Sequence, residues 1–92
     1  MAVTVRIPTQ LRSLTRGASE VSLEGGTVAE VLKQLDAAHA GFGERIFDES
    51  GALRRFVNVF VAEEDIRFLQ NLDTPVASGQ VVSIVPAVAG GI

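Results

Sequence analysis

The sequence contains no cysteine, which excludes a disulfide framework, a thiolate metal site and a cysteine nucleophile on this chain and makes a reducing cytoplasm the expected compartment. It has a single histidine, His39. With no second imidazole to share a metal, His39 reads as a structural residue in the last turn of a helix. Positive charge is scarce as well: eight Lys and Arg against eleven Asp and Glu leave a net charge of −3. Nucleic-acid binding draws on clustered cations, so this balance argues against it as the main activity. No apolar run approaches the roughly 20 residues of a membrane span, and Arg6 and Pro8 break the N-terminal stretch where a secretory signal needs a continuous apolar segment. A soluble chain is expected.

Catalytic motifs are missing too. The serines lack a G-x-S-x-G elbow, and neither H-E-x-x-H nor G-x-x-x-x-G-K-[ST] occurs. Gly41 and Gly43 are followed by Ile46, where a dinucleotide fingerprint has its third glycine. Glu63, Glu64 and Asp65 read as a solvated turn rather than a cation site. There is no internal repeat, low-complexity tract or linker.

What is present fits one small domain. The 92 residues are 47% hydrophobic, enough for one core. Val3, Val5 and Ile7 alternate with polar residues, the period of a half-buried strand, and Pro8 ends it. A polar loop follows, and residues 19–24 alternate again around Val21 and Leu23, predicting a wide-looped hairpin. Over residues 27–39 the period changes: Val28, Val31, Leu32 and Leu35 mark one face of a helix. Thr27 and Glu30 stand at capping-box spacing at its start. Phe42, Ile46 and Phe47 suggest a short helical turn. Residues 56–61 read as a central strand covered on both faces, 66–68 as a short edge strand, and 81–85 as the last strand. The predicted class is α+β: a mixed sheet of four to five strands on one main helix, with first and last strands adjacent. That order suggests a ubiquitin-like β-grasp domain over residues 1–86, followed by a flexible tail over 87–92.

The tail is where chemistry is expected. From Val81 to Ile92 no side chain is charged, and Ala87, Val88, Ala89, Gly90 and Gly91 offer nothing bulky. A narrow peptide on a compact body can thread a carboxylate into another protein's active site, and glycine lets the backbone lie close against a nucleotide there. A carboxylate becomes reactive once adenylated, and a sulfur nucleophile can then displace AMP. The chain would be substrate and carrier, its catalysts residing elsewhere.

Three stretches, VTVRIPTQLR, LRRFVNVFVAEEDIRF and PAVAGG, with the predicted element order, resemble the ThiS/MoaD sulfur-carrier family over the whole chain, and within it the carriers of a cysteine-biosynthesis route. That resemblance implies an E1-like, ATP-using adenylyltransferase and sulfurtransferase that converts the Gly91 carboxylate to a thiocarboxylate. It also implies a pyridoxal-phosphate enzyme of the cysteine-synthase type as sulfur acceptor, and a zinc metallopeptidase that releases the new cysteine. No cofactor or metal would be held by this chain. Ala87 to Gly90 would thread into the partners, and Ile92 would have to be removed first, because a β-branched side chain does not fit a channel of glycine width. Gly79-Gln80 and Pro86-Ala87 stand where many molybdopterin-type carriers have Gly-Asp and two prolines. Phe60, Phe68, Arg54 and Arg55 are the candidates for a partner surface. The competing readings are a ubiquitin-like conjugation or interaction module, a carrier serving molybdopterin, thiamin or other thio-metabolites, and, more remotely, a small hydrolase.

Overall fold

The computed structural model describes residues 2–86; the tail assigned to 87–92 lies outside them. The alternating N-terminal segment forms β1 (Ala2–Arg6), which pairs antiparallel with β2 (Glu20–Glu24) in the register Val3 to Leu23 and Val5 to Val21. Between them the polar loop winds into a 3₁₀ helix, Thr9–Thr15, that buries Leu11 and Thr15. The last strand, β7 (Val81–Pro86), lies parallel to β1 and antiparallel to β4 (Val57–Val61). A two-residue strand β5 (Glu64–Asp65) closes the order β2-β1-β7-β4-β5.

One helix crosses this sheet. In α1 (Val28–Ala38) the predicted apolar stripe of Val28, Val31, Leu32 and Leu35 is fully buried, against Val3, Val5, Val57, Val59, Val82 and Ile84 from the strands. Its capping box is formed: the Glu30 N–H donates to Thr27 Oγ1 at 3.2 Å, and the Thr27 N–H donates to Glu30 Oε1 at 2.9 Å. The next amide, Val28 N–H, donates to the Thr74 carbonyl at 2.9 Å. A short α2 (Phe42–Ile46) then buries Phe42 and Ile46, tied to α1 by the Gly43 N–H donating to Asp36 Oδ1 at 2.8 Å. A helix packed across a mixed sheet whose first and last strands are parallel neighbours is the β-grasp arrangement. Among the described residues no helix is long and apolar enough to cross a membrane.

Besides Glu64–Asp65, which pairs as β5 where a solvated turn is expected, three local details differ from the sequence expectation. Residues 66–68 are a 3₁₀ turn, not an edge strand. Asp65 Oδ1 accepts from the Arg67 N–H at 2.9 Å, and such a side-chain cap starts a helical turn where extended chain would otherwise continue. Second, β4 sits one strand from the edge. Val57, Val59 and Val61 face the core, while Asn58 and Phe60 are half-buried on the other face. Third, β3 (Gly26–Thr27) pairs with β6 (Pro75–Val76) in a separate ribbon. Two-residue strands carry no alternation, so nothing in the sequence pattern announces them.

Candidate functional site

The five candidate tail positions, Ala87, Val88, Ala89, Gly90 and Gly91, and the candidate processed residue Ile92 lie outside the described residues. What the structure places is the point from which they continue. Pro86 ends β7 opposite Val57, the first residue of β4, and Val85 pairs with Asn58. Because side chains alternate across a strand, Val82 and Ile84 face the core and Val85 faces away, 45% exposed. The tail therefore leaves from an inner strand, at the end of the sheet that also holds the start of β4.

The face of the sheet away from α1 is mixed in character. Across one row run Asp65, Phe60, Ser83, Arg6 and Glu20, as the strand registers dictate. Arg6 Nε lies 3.5 Å from a Glu20 carboxylate oxygen, both side chains well exposed. Phe60 is half-buried in this row. Phe68, by contrast, is 85% exposed at the end of its 3₁₀ turn, with Leu69 beside it and Phe56 also exposed.

Arg54 and Arg55 precede β4 and line an open groove of about 540 Å³. The structure brings to them a third cation absent from the sequence candidates, Arg67, with Leu53 and Leu72 also lining the groove. Arg67 Nη2 donates to the carbonyls of Arg55 at 3.4 Å and Val57 at 3.3 Å, so its guanidinium is held against the strand that borders the tail exit. Twelve residues separate Arg55 from Arg67, and no local motif links them in sequence. Arg54 Nε donates to the Glu44 carbonyl at 3.0 Å.

Other polar groups have structural work. The backbone N–H of His39 closes α1 by donating to the Leu35 carbonyl at 2.8 Å. Asp48 organises its loop by accepting from Ser50 Oγ at 2.6 Å, the Ser50 N–H at 2.9 Å and the Ala52 N–H at 3.2 Å. The Ser50 hydroxyl above all, with the two amides and the charge of Arg54, holds the Asp48 carboxyl below its ordinary value, against an opposing effect of desolvation that is second in size to the hydroxyl bond. Among the described residues no three His, Asp or Glu side chains are grouped to hold a metal ion.

The ThiS family matches residues 5–91. The chain belongs to that family. It is 50% identical over 93 residues to the sulfur carrier protein CysO of Mycobacterium tuberculosis strain H37Rv, covering 99% of this chain and 100% of the relative. The crystal structure of Mycobacterium tuberculosis CysO superposes with a TM-score of 0.88 at 48% identity, covering 94% of this chain and 99% of that one. The CysO of Amycolatopsis orientalis, solved in a complex with BexX, superposes with a TM-score of 0.89 at 45% identity, covering 97% and 99%. This ThiS-family chain is thus a ubiquitin-like β-grasp protein, and its kinship over the whole length supports the role of a small sulfur carrier rather than a catalyst.

Proposed function

We propose that this chain carries sulfur as a thiocarboxylate on Gly91, exposed by removal of Ile92, and that the sulfur feeds cysteine synthesis. The Gly91 carboxylate attacks the α-phosphorus of ATP in an E1-like partner, releasing pyrophosphate and leaving an acyl adenylate. A sulfur nucleophile then adds to that carbonyl and AMP departs, so the C–O bond to phosphate is exchanged for a C–S bond. A pyridoxal-phosphate enzyme of the cysteine-synthase type supplies the acceptor, an aminoacrylate. Sulfur adds to it, and an S-to-N acyl shift leaves cysteine on Gly91 for a zinc metallopeptidase to hydrolyse. ATP, pyridoxal phosphate and zinc all belong to partners in this cycle, which runs in the cytoplasm.

The observation that carries the proposal is the whole-length similarity to sulfur carriers in a chain with Gly90-Gly91 near its end. The exit of the tail at Pro86, beside the start of β4, supports the threading role of Ala87, Val88, Ala89 and Gly90. Phe68, Arg54 and Arg55 are surface positions from which a partner could grip the body, and Phe60 contributes the half-buried ring of the open sheet face.

Intact-mass analysis of the chain incubated with its cognate pathway enzymes, ATP and sulfide as the sulfur source tests this. The expected result is loss of one isoleucine residue followed by exchange of one oxygen for sulfur. Attachment to lysines of other proteins, with no sulfur gained, would replace the carrier reading with conjugation.

A further inference from the structure

The groove beside the tail exit is electrostatically unlike its surroundings. The chain is acidic, yet three of its eight cations, Arg54, Arg55 and Arg67, line this one groove and no carboxylate does. Three other grooves on the described surface mix signs: Lys33 with Asp36 and Asp73, Arg45 with Glu44 and Asp48, and Arg54 with Asp48 and Glu49. Arg54 borders both regions and lowers the Asp48 carboxyl, so Arg55 and Arg67 are the cations that belong to the groove alone. The Arg55 side chain makes no hydrogen bond or ion pair to any described residue. Arg67 is oriented by the two carbonyls it donates to, which leaves its other guanidinium N–H groups without a partner among those residues.

Leu53 and Leu72, both half-buried, give the groove an apolar side. A bare anion would leave them wet, whereas a peptide could cover them and strengthen the guanidinium–carboxylate contacts by excluding water. Position adds to this. Val57, whose carbonyl Arg67 holds, is the register partner of Pro86, so one strand separates the groove from the last described residue of the chain.

We propose that the groove between Arg55, Arg67, Leu53 and Leu72 docks an acidic, leucine-bearing segment of the enzyme that activates the tail. The proposal rests on the carrier reading and deepens it by naming the chemistry that fixes the body while the tail is threaded. Charge-bearing contacts of this kind set encounter rate and salt dependence, and their reversal weakens binding.

The test compares Arg55→Glu with Lys33→Glu, an equal change of charge on α1, both in the chain ending at Gly91. With the cognate activating enzyme, Arg55→Glu should raise KM for the carrier about tenfold, leave kcat within about twofold, and flatten the dependence of kcat/KM on salt. Lys33→Glu should do none of these. If the parent chain is activated and Arg55→Glu matches it in KM and salt slope, the groove proposal is overturned. If the parent chain is never activated, the carrier reading fails, and a direct titration decides on the groove. Amide shifts induced by a capped peptide of alternating glutamate and leucine should then cluster at Arg54, Arg55, Arg67 and Leu72, and be absent with its glutamine counterpart. Shifts elsewhere, or equal shifts from inorganic phosphate, would count against a peptide site.

Discussion

Gly26 shows how one missing side chain sets a helix start. A Cβ there would stand 2.6 Å from Glu30 Oε1, the oxygen that accepts from the Thr27 N–H, and Gly26 also has φ of 155°. Gly26→Ala should therefore displace the Glu30 carboxylate and strain the backbone together, lowering stability by about 1 to 2 kcal/mol in denaturant melts, as loss of a helix cap does. Asp48 makes a second prediction. A carboxyl with a lowered pKa contributes stability that is present above its unfolded value and lost as pH falls through its folded one. A side-chain NMR titration should place the Asp48 midpoint below 3.8, with the Ser50 and Ala52 amide contacts kept at neutral pH and released only in acid. At this scale the sequence was readable where partners are close along the chain. The Thr27–Glu30 box could be seen three residues apart, but the need for Gly26 depends on where the Glu30 carboxylate folds back to.

Among elements, those with a clear period were legible. The α1 stripe, β1 and the alternation of β2 all declare which face is buried, since the 3.6- and 2-residue repeats map directly onto inside and outside. Leu32→Ala should cost about 2 to 5 kcal/mol in an unfolding titration, because it opens a cavity between α1 and the sheet. The short pieces were opaque. Ile66–Phe68 has strand-forming residues, and the Asp65 carboxylate overrides them. That turn leaves Phe68 in solvent. Phe68→Ser should change stability by no more than about 0.5 kcal/mol; if the ring meets a partner, the same variant raises KM for activation with kcat unchanged. The sequence could nominate Arg54 and Arg55 because they are adjacent, whereas Arg67 reaches them only through the return of the chain after β5.

For the molecule as a whole, the order of elements was enough to suggest the architecture, since one amphipathic helix and strands of this number have few ways to share a core. Its central pairing, β1 beside β7, joins residues nearly eighty positions apart and is invisible to any local pattern. Among the described residues the buried core runs from Val3 to Ile84. Deleting Gly91 and Ile92 should leave the thermal midpoint within about 2 °C of the parent chain, given that a change of 1 kcal/mol moves a domain of this size by several degrees. The same deletion should abolish thiocarboxylate formation by intact mass. A truncated chain that still gained sulfur would move the acceptor carboxylate off Gly91.

The pairing of β7 on both flanks also matters mechanically. A peptide drawn out of a deep channel transmits force to whatever anchors it, and here a pull along the strand from Pro86 loads the ladders to β1 and β4 in shear, many bonds at once. Under the proposed threading, a load applied through Pro86 would be shared along both ladders rather than peel the strand from its sheet.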